Sequence, residues 1–374
     1  MSALYLHIPF CKQACHYCDF HFSTQMAQKE EMIQAICKEM ELQKNYLQNK
    51  TLQSVYLGGG TPSLLNLQDL ERIFEQIQRF FTLTPHTEIT LEANPDDLSR
   101  EKLQTLQKIG INRLSIGVQS FHQPHLLFLH RSHDAQQAET CIKTAQDVGF
   151  SNITIDLIYA IPAENHQIWE KDLQKALGLG VPHLSAYCLT IEPRTVFGKK
   201  LEKRKMQPID ENFAREQMQM LMGTLKSAGF EHYEISNFAQ KGFYSKHNSN
   251  YWLGAEYLGI GASAHSYNGV SRQYNIADNK RYIAEIFAGK IPATIEQLSA
   301  KDKLNEYLLT SLRTQWGAEK PKIQRLYPDF FQINQVLLQK FEKQKLIQQD
   351  STRMYLTDEG KFFADQIAAD LFWV

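Results

Sequence analysis

The chain has 374 residues, is 43% hydrophobic and 22% charged, and carries 40 Lys plus Arg against 41 Asp plus Glu, a formal charge of -1. This excludes a disordered or fibrous chain and leaves length for one large α/β domain with a smaller appendage. The balanced charge gives no overall field toward nucleic acid or anionic lipid. No apolar run approaches bilayer length and the N-terminus reads as a strand without a signal peptide, so a cytoplasmic protein with reduced cysteines is expected.

The alternating run Leu4–Ile8 predicts a first strand, followed at once by Cys11, Cys15 and Cys18 in C-x3-C-x2-C spacing. A helix near 29–47 places Ile33, Ile36, Met40 and Leu47 on one face, and Ser54–Leu57 is a strand feeding Gly58-Gly59-Gly60-Thr61-Pro62. The next helix carries Leu67, Leu70, Ile73, Phe74 and Ile77. Strand three, Glu88–Glu92, precedes a helix with Leu103, Leu106 and Ile109 that Gly110 stops. Strand four (Arg113–Val118), a histidine-bearing loop and a helix through Val148 follow; strand five (Asn152–Ile158) and strand six (His183–Leu189) each lead to another helix. Six βα units suit an incomplete or full barrel better than a doubly wound sheet.

Beyond Gly229 the rhythm changes. Phe230–Ile235 reads as an extra strand, and residues 242–275, rich in Gly, Asn, Ser and aromatics, show no helical period and read as a long ordered loop. The expected division is a barrel over 1–240, an aromatic and glycine-rich connection over 241–290, and a mostly helical, winged-helix-like C-terminal domain over 291–374. The missing basic excess argues against nucleic acid as its partner.

Three thiolates on one short loop can hold three irons of a four-iron cluster, leaving the fourth open to a small molecule. The alternative is a zinc ion completed by His7, His16 or His21, although no second C-x2-C pair exists. Cys37, Cys141 and Cys188 lie on predicted apolar faces and read as packing residues. If the strands end at a catalytic mouth, Cys11, the glycine triplet, Glu92, Gln119 and Asp156 all gather there. The triplet would allow close backbone approach to a ligand, and it lacks the G-x-x-x-x-G-K of a triphosphate loop.

The C-x3-C-x2-C motif with Tyr17 before its last cysteine, the triplet ending in Thr61-Pro62, Glu-Ala-Asn-Pro around Glu92, Ser115–Gln119, Leu129-His130-Arg131 and Asp156 together resemble the radical S-adenosylmethionine superfamily. The resemblance extends over nearly the whole chain to the branch of oxygen-independent coproporphyrinogen III oxidases and HemW-like heme chaperones. It implies a partial (β/α)6 TIM-like barrel with a 4Fe-4S cluster on Cys11, Cys15 and Cys18. It also implies S-adenosylmethionine chelating the fourth iron amid Tyr5, Tyr17, Gly59, Gly60, Thr61, Glu92, Gln119, Arg131 and Asp156. Glu92 and the glycine backbone would take the ammonium, Arg131 the carboxylate, and Asp156 or Gln119 the ribose or methionyl part. An electron from the cluster would cleave the sulfonium.

The oxidases of this branch look like C-x3-C-x2-C-x-C with a longer N-terminal extension, whereas Phe20 stands at the last position here and the first strand begins near Leu4. Both departures resemble the chaperone side. His247-Asn248-Ser249-Asn250-Tyr251-Trp252 matches the H-N-x-x-Y-W pattern of that side, which implies heme bound by His247, with His232 or His265 as alternative ligands. From the residues alone, His247 and Trp252 would simply order a loop. The expected function is binding heme and passing it to acceptor hemoproteins, with an electron donor for the cluster and a monomeric or dimeric state. Alternatives are oxidative decarboxylation of coproporphyrinogen III, which would make it an enzyme, and a heme-free iron-sulfur scaffold or redox sensor.

Overall fold

The computed structural model describes residues 2–374. Six parallel strands, β1 (Ser2–Ile8), β2 (Ser54–Gly59), β3 (Glu88–Ala93), β4 (Arg113–Gln119), β5 (Ile153–Tyr159) and β6 (His183–Cys188), lie side by side in chain order. β6 does not close onto β1. A hairpin of β7 (Glu231–Glu234) and β8 (Asn237–Ala239) covers the β6 edge antiparallel, and β9 (Glu256–Ile260) pairs parallel with β1 on the other side. The barrel is therefore open, a partial (β/α)6 architecture as expected.

Each connecting helix buries one stripe. In Leu67–Phe80 the buried residues include Leu70, Ile73, Phe74 and Ile77, and a capping box between Asn66 and Asp69 satisfies its first turn. Gly110 and Gly149 end their helices in the left-handed conformation, at φ 103° and 108°. The parallel strands are buried on both faces, as helix-covered strands must be. Within β1, β3 and β5, the residue that keeps some exposure is Tyr5, Glu92 and Asp156 respectively, so the barrel interior opens at these three positions.

Residues 242–275, expected as loop, are instead a helix (Lys246–Trp252) and three strands, β9, β10 (His265–Tyr267) and β11 (Ser271–Asn275). After a further helix (Asn279–Phe287), β12 (Ala293–Gln297) ends a twelve-stranded sheet. The period was hidden because the inward face of β11 is polar: Ser271, Gln273 and Asn275 are buried. Gln273 donates to Gln43 and Asn275 to Glu39 of the Lys29–Leu42 helix. Burial raises the Glu39 carboxyl, and it also accepts from Tyr282 and from the Gly261 N–H at 2.8 Å.

A second core, around Leu304, Leu308, Leu312, Phe330, Phe341 and Ile367, belongs to the C-terminal part. It packs helices against a small antiparallel sheet of β13 (Ala318–Glu319), β14 (Ile347–Gln349) and β15 (Arg353–Leu356), in the order β13-β15-β14. Among the described residues no helix is long and apolar enough to cross a membrane.

Candidate functional site: a cysteine loop, a polar barrel mouth and an aromatic cleft

The cysteine loop leaves the end of β1 and is fastened on two sides. On one side the Gly60 N–H donates to Ile8 O (2.9 Å) and the Thr61 N–H to Phe10 O (2.7 Å). On the other the His16 N–H donates to Leu129 O (3.1 Å), and His130 Nδ1 bonds Ala14 O (2.8 Å). A Cβ on Gly60 would lie 2.6 Å from Phe10 O, and one on Gly59, whose φ is +105°, would lie 2.6 Å from the His7 ring. The glycine triplet is thus explained by how tightly the cysteine loop and His7 pack against it, before any ligand is considered.

Two donors point at the thiols. Thr61 Oγ1 reaches Cys11 Sγ at 3.4 Å, and Arg131 Nη1 reaches Cys15 Sγ at 3.2 Å. Burial pushes Cys11 up and Cys18 up to about 12, so these thiols stay protonated unless a cation compensates them. His7, His16 and His21 are committed elsewhere: His7 to Tyr5 and the His21 carbonyl, His16 Nδ1 to Phe128 O, His21 Nε2 to Asn279. The donor set at the loop is three sulfurs on one segment with cationic and hydroxyl donors behind them, which fits an anionic iron-sulfur cluster better than a zinc ion completed by histidine.

Arg131 is half-buried and saturates most of its guanidinium within the protein. Besides Cys15, Nη1 donates to the Tyr17 hydroxyl (3.3 Å), and Nη2 donates to Asn94 Oδ1 (2.6 Å) and Gly117 O (2.8 Å). Nε alone is left buried without a partner. The expected grip of Arg131 on a ligand carboxylate would have to go through Nε; what the structure displays is a clamp on the cysteine loop.

Above the loop, Glu92 accepts from the Tyr56 hydroxyl (2.7 Å) and the Gly59 N–H (3.1 Å). Burial and the neighbouring Asp156 nevertheless push its carboxyl up to about 7. Burial likewise pushes Asp156 up to about 6, although Ser115 Oγ lies 3.3 Å away. The two carboxylates, with Tyr56, Arg113, Ser115 and Tyr187, line a small polar cavity of about 50 Å³. Gln119 ends β4 at φ 68°, a strained conformation for a non-glycine residue, at a bulge against β5. Tyr5 stacks on Tyr56 with ring centroids 6.1 Å apart. The structure thus brings Tyr5, Gly59, Thr61, Glu92, Gln119, Arg131 and Asp156 to one end of the barrel.

His247, expected from its motif as a heme ligand, is held within the protein in this structure. It is buried and both ring nitrogens are occupied, Nδ1 by Ser54 Oγ (2.9 Å) and Nε2 by the Tyr251 hydroxyl (2.9 Å), while its ring stacks on Tyr56 at 4.8 Å. Burial pulls it down to about 3, so it stays neutral. It joins the helix of the H-N-x-x-Y-W segment to β2 and presents no free nitrogen to a heme iron. His232 is also committed, to Ile235 O and Lys361.

The same segment does contribute to a cleft of about 710 Å³ between the sheet extension and the C-terminal helices, through Tyr251 and Trp252. Asp19 and Phe20, the two residues after Cys18, form part of its wall, as do Tyr5 and His265. Phe20 is 73% exposed. Sequence reasoning missed Tyr257, Tyr267, Arg272, Lys303 and Tyr307 on this wall. The tyrosine density after residue 250 was the available signal, and it was masked by the loop reading.

The match to the radical SAM superfamily model covers residues 5–176, and a HemN C-terminal domain model matches 298–363. The chain is 33% identical to "Heme chaperone HemW" of Bacillus subtilis (strain 168) over 98% of both chains. It is 34% identical to "Heme chaperone HemW" of Lactococcus lactis subsp. lactis (strain IL1403), over 96% of this chain and 94% of that one. Its fold superimposes on the solved radical SAM coproporphyrinogen III oxidase (HemN) of Escherichia coli with a TM-score of 0.86, at 22% identity, covering 99% of this chain and 90% of that one. A clamped three-cysteine loop on an open βα barrel, and near-full-length identity above 30%, lead to one conclusion: the chain belongs to the HemW family of the radical SAM superfamily.

Proposed function

We propose that this protein is a heme chaperone: it binds a 4Fe-4S cluster through Cys11, Cys15 and Cys18, S-adenosylmethionine at the barrel mouth, and heme in the adjoining cleft, and passes the heme to an acceptor hemoprotein. The observation that carries this reading is the shared wall. Asp19 and Phe20 continue directly from Cys18 into the aromatic cleft, so a flat apolar ligand would lie beside the cluster loop.

Tyr5, Glu92, Gln119 and Asp156 would surround S-adenosylmethionine, Glu92 taking its ammonium group, while Thr61 and Arg131 hold Cys11 and Cys15 against the barrel. The cluster, when bound, supplies an open iron and a one-electron couple. The residues themselves orient the ligand, keep water from the two carboxyls and neutralise the sulfur charge. The cleft is of a size and apolar character suited to a cofactor-sized ligand. The chaperone names of the relatives, and Phe20 in place of a fourth cysteine, favour heme handling over coproporphyrinogen oxidation.

The test is anaerobic reconstitution followed by three measurements on one preparation. Iron and sulfide should each reach roughly four per chain, heme should bind saturably, and heme-loaded protein should restore activity to a heme-depleted hemoprotein. Zinc without sulfide would remove the cluster assignment. Conversion of coproporphyrinogen III with S-adenosylmethionine and reductant, without saturable heme binding, would make the protein an oxidase instead.

A further inference from the structure

The cleft holds three histidines, His7, His21 and His265. Both nitrogens of His7 are occupied, and His21 is held through Nε2 by Asn279 at 2.7 Å, which leaves only the nitrogen next to its own backbone. His265 differs. Among the described residues it has no side-chain hydrogen-bond partner, and its ring lies exposed on β10, stacked on Tyr274 at 5.6 Å.

The register explains how it is aimed. In the β10–β11 ladder His265 opposes Tyr274 and Tyr267 opposes Arg272, and on the far side of β10 Tyr267 opposes Tyr257. Side chains two apart share a face, so His265 and Tyr267 face the cleft with Arg272, while Ser266 turns inward to the Gly259 N–H at 2.9 Å. The opposite wall is one stripe of the Ala300–Leu312 helix, Lys303, Glu306, Tyr307 and Thr310, at i, i+3, i+4 and i+7. Lys322 joins it from the next helix, its Nζ 4.0 Å from the centre of the Tyr307 ring.

The charges are also sorted. Arg272 is paired with Glu306 at 2.6 Å. Lys303 and Lys322 have no carboxylate within ion-pair distance among the described residues, so two cations face the cleft unmatched. The Trp252 indole N–H is buried there without a partner. An aromatic slot, one imidazole without a hydrogen-bond partner and two ammonium groups without a carboxylate partner, one of them over the Tyr307 ring, form a set complementary to an iron porphyrin with two propionates.

Building on the heme-binding reading above, we infer that the ligand-binding residue of this cleft is His265, which coordinates the heme iron axially, and that Lys303 and Lys322 pair with the propionates. His247 then acts at one remove, by holding Tyr251 and the helix that carries Trp252.

The experiment uses the full chain with its cluster reconstituted, titrated anaerobically with hemin and, separately, with iron-free protoporphyrin IX. His265→Ala is expected to weaken hemin by at least about tenfold and to lose the histidine-ligated Soret spectrum, which added imidazole restores. Protoporphyrin IX, needing no axial ligand, should bind His265→Ala as it binds wild type. Lys303→Glu with Lys322→Glu should weaken both porphyrins by similar factors, and decides the matter if His265→Ala folds poorly. Undiminished hemin binding with an unchanged spectrum in His265→Ala, or unchanged affinity for both porphyrins in the double lysine variant, overturns the assignment. Wild type that binds neither porphyrin refutes the heme reading itself, so the two failures are distinct.

Discussion

Glu92→Gln separates what the barrel mouth costs the free protein from what it gains with a ligand. The Glu92 carboxyl has an ordinary value near 4.5 and is pushed up to about 7, chiefly by burial. Between these values the unfolded chain has lost the proton and the folded one retains it, so stability falls as pH rises from about 4.5 to 7 and stays lost above. Full burial would put the loss at roughly 3 kcal/mol. Glu92 keeps some exposure in β3, and discounting for solvent leaves about 1–2 kcal/mol.

Glutamine cannot ionise, so the ligand-free variant should match wild type near pH 4.5 and exceed it by about 1–2 kcal/mol at pH 8. For a chain of this length that is a Tm gain of about 1–3 °C, measurable by scanning calorimetry of the apo protein at both pH values. S-adenosylmethionine should reverse the order. Its ammonium group needs the ionised Glu92, so wild-type affinity should rise about tenfold from pH 6 to its maximum and fall again as the amine, ordinarily near 7.7–8.0, loses its proton. Glu92→Gln should bind weakly and lack the acid limb. A Tm difference independent of pH, or the same pH profile in the variant, would refute the reasoning.

Three further substitutions test the scaffold. Arg131→Lys keeps the charge but cannot span Cys15, Tyr17, Asn94 and the Gly117 carbonyl at once; iron affinity on reconstitution should drop about 10–100-fold, and a full iron complement would contradict the clamp. Gly60→Ala forces a Cβ into the Phe10 carbonyl and should destabilise the protein by about 1–3 kcal/mol with loss of cluster loading; wild-type thermal stability would show that the loop yields freely. His247→Phe removes the ring partner of the Ser54 and Tyr251 hydroxyls, leaving Ser54 only the longer bond from Asn250, and should cost about 1–3 kcal/mol by denaturant unfolding, while heme affinity stays within a few-fold of wild type.

The barrel was legible because short β-rich runs alternate with helices whose buried residues recur at helical spacing, two of them stopped by Gly110 and Gly149, and because two strands carry a carboxylate among apolar neighbours. Glu92 and Asp156 show this: a carboxylate inside an apolar strand is conspicuous in the sequence, and it is the same residue that the strand leaves partly open. The extension β9–β12 was illegible for the converse reason. Its inward residues, Ser266, Ser271, Gln273 and Asn275, are polar and find their partners only on folding, Ser266 at Gly259 of the neighbouring strand, Ser271 at Asn268 of its own turn, and Gln273 and Asn275 at Gln43 and Glu39 of the Lys29–Leu42 helix. Hydrophobic periodicity cannot register such a face.

Local spacing alone determined the cysteine loop, the alternation of strands and helices, and the family, since C-x3-C-x2-C and Glu-Ala-Asn-Pro are properties of contiguous residues. Which histidine is free was decided by the tertiary structure. His247, in a recognisable motif, is closed off by Ser54, 193 positions away in the chain. His265, in no motif, is left open by strand register and faced by a helix from another core. Availability of a side chain depends on which partners folding brings to it, and those partners are distant in sequence.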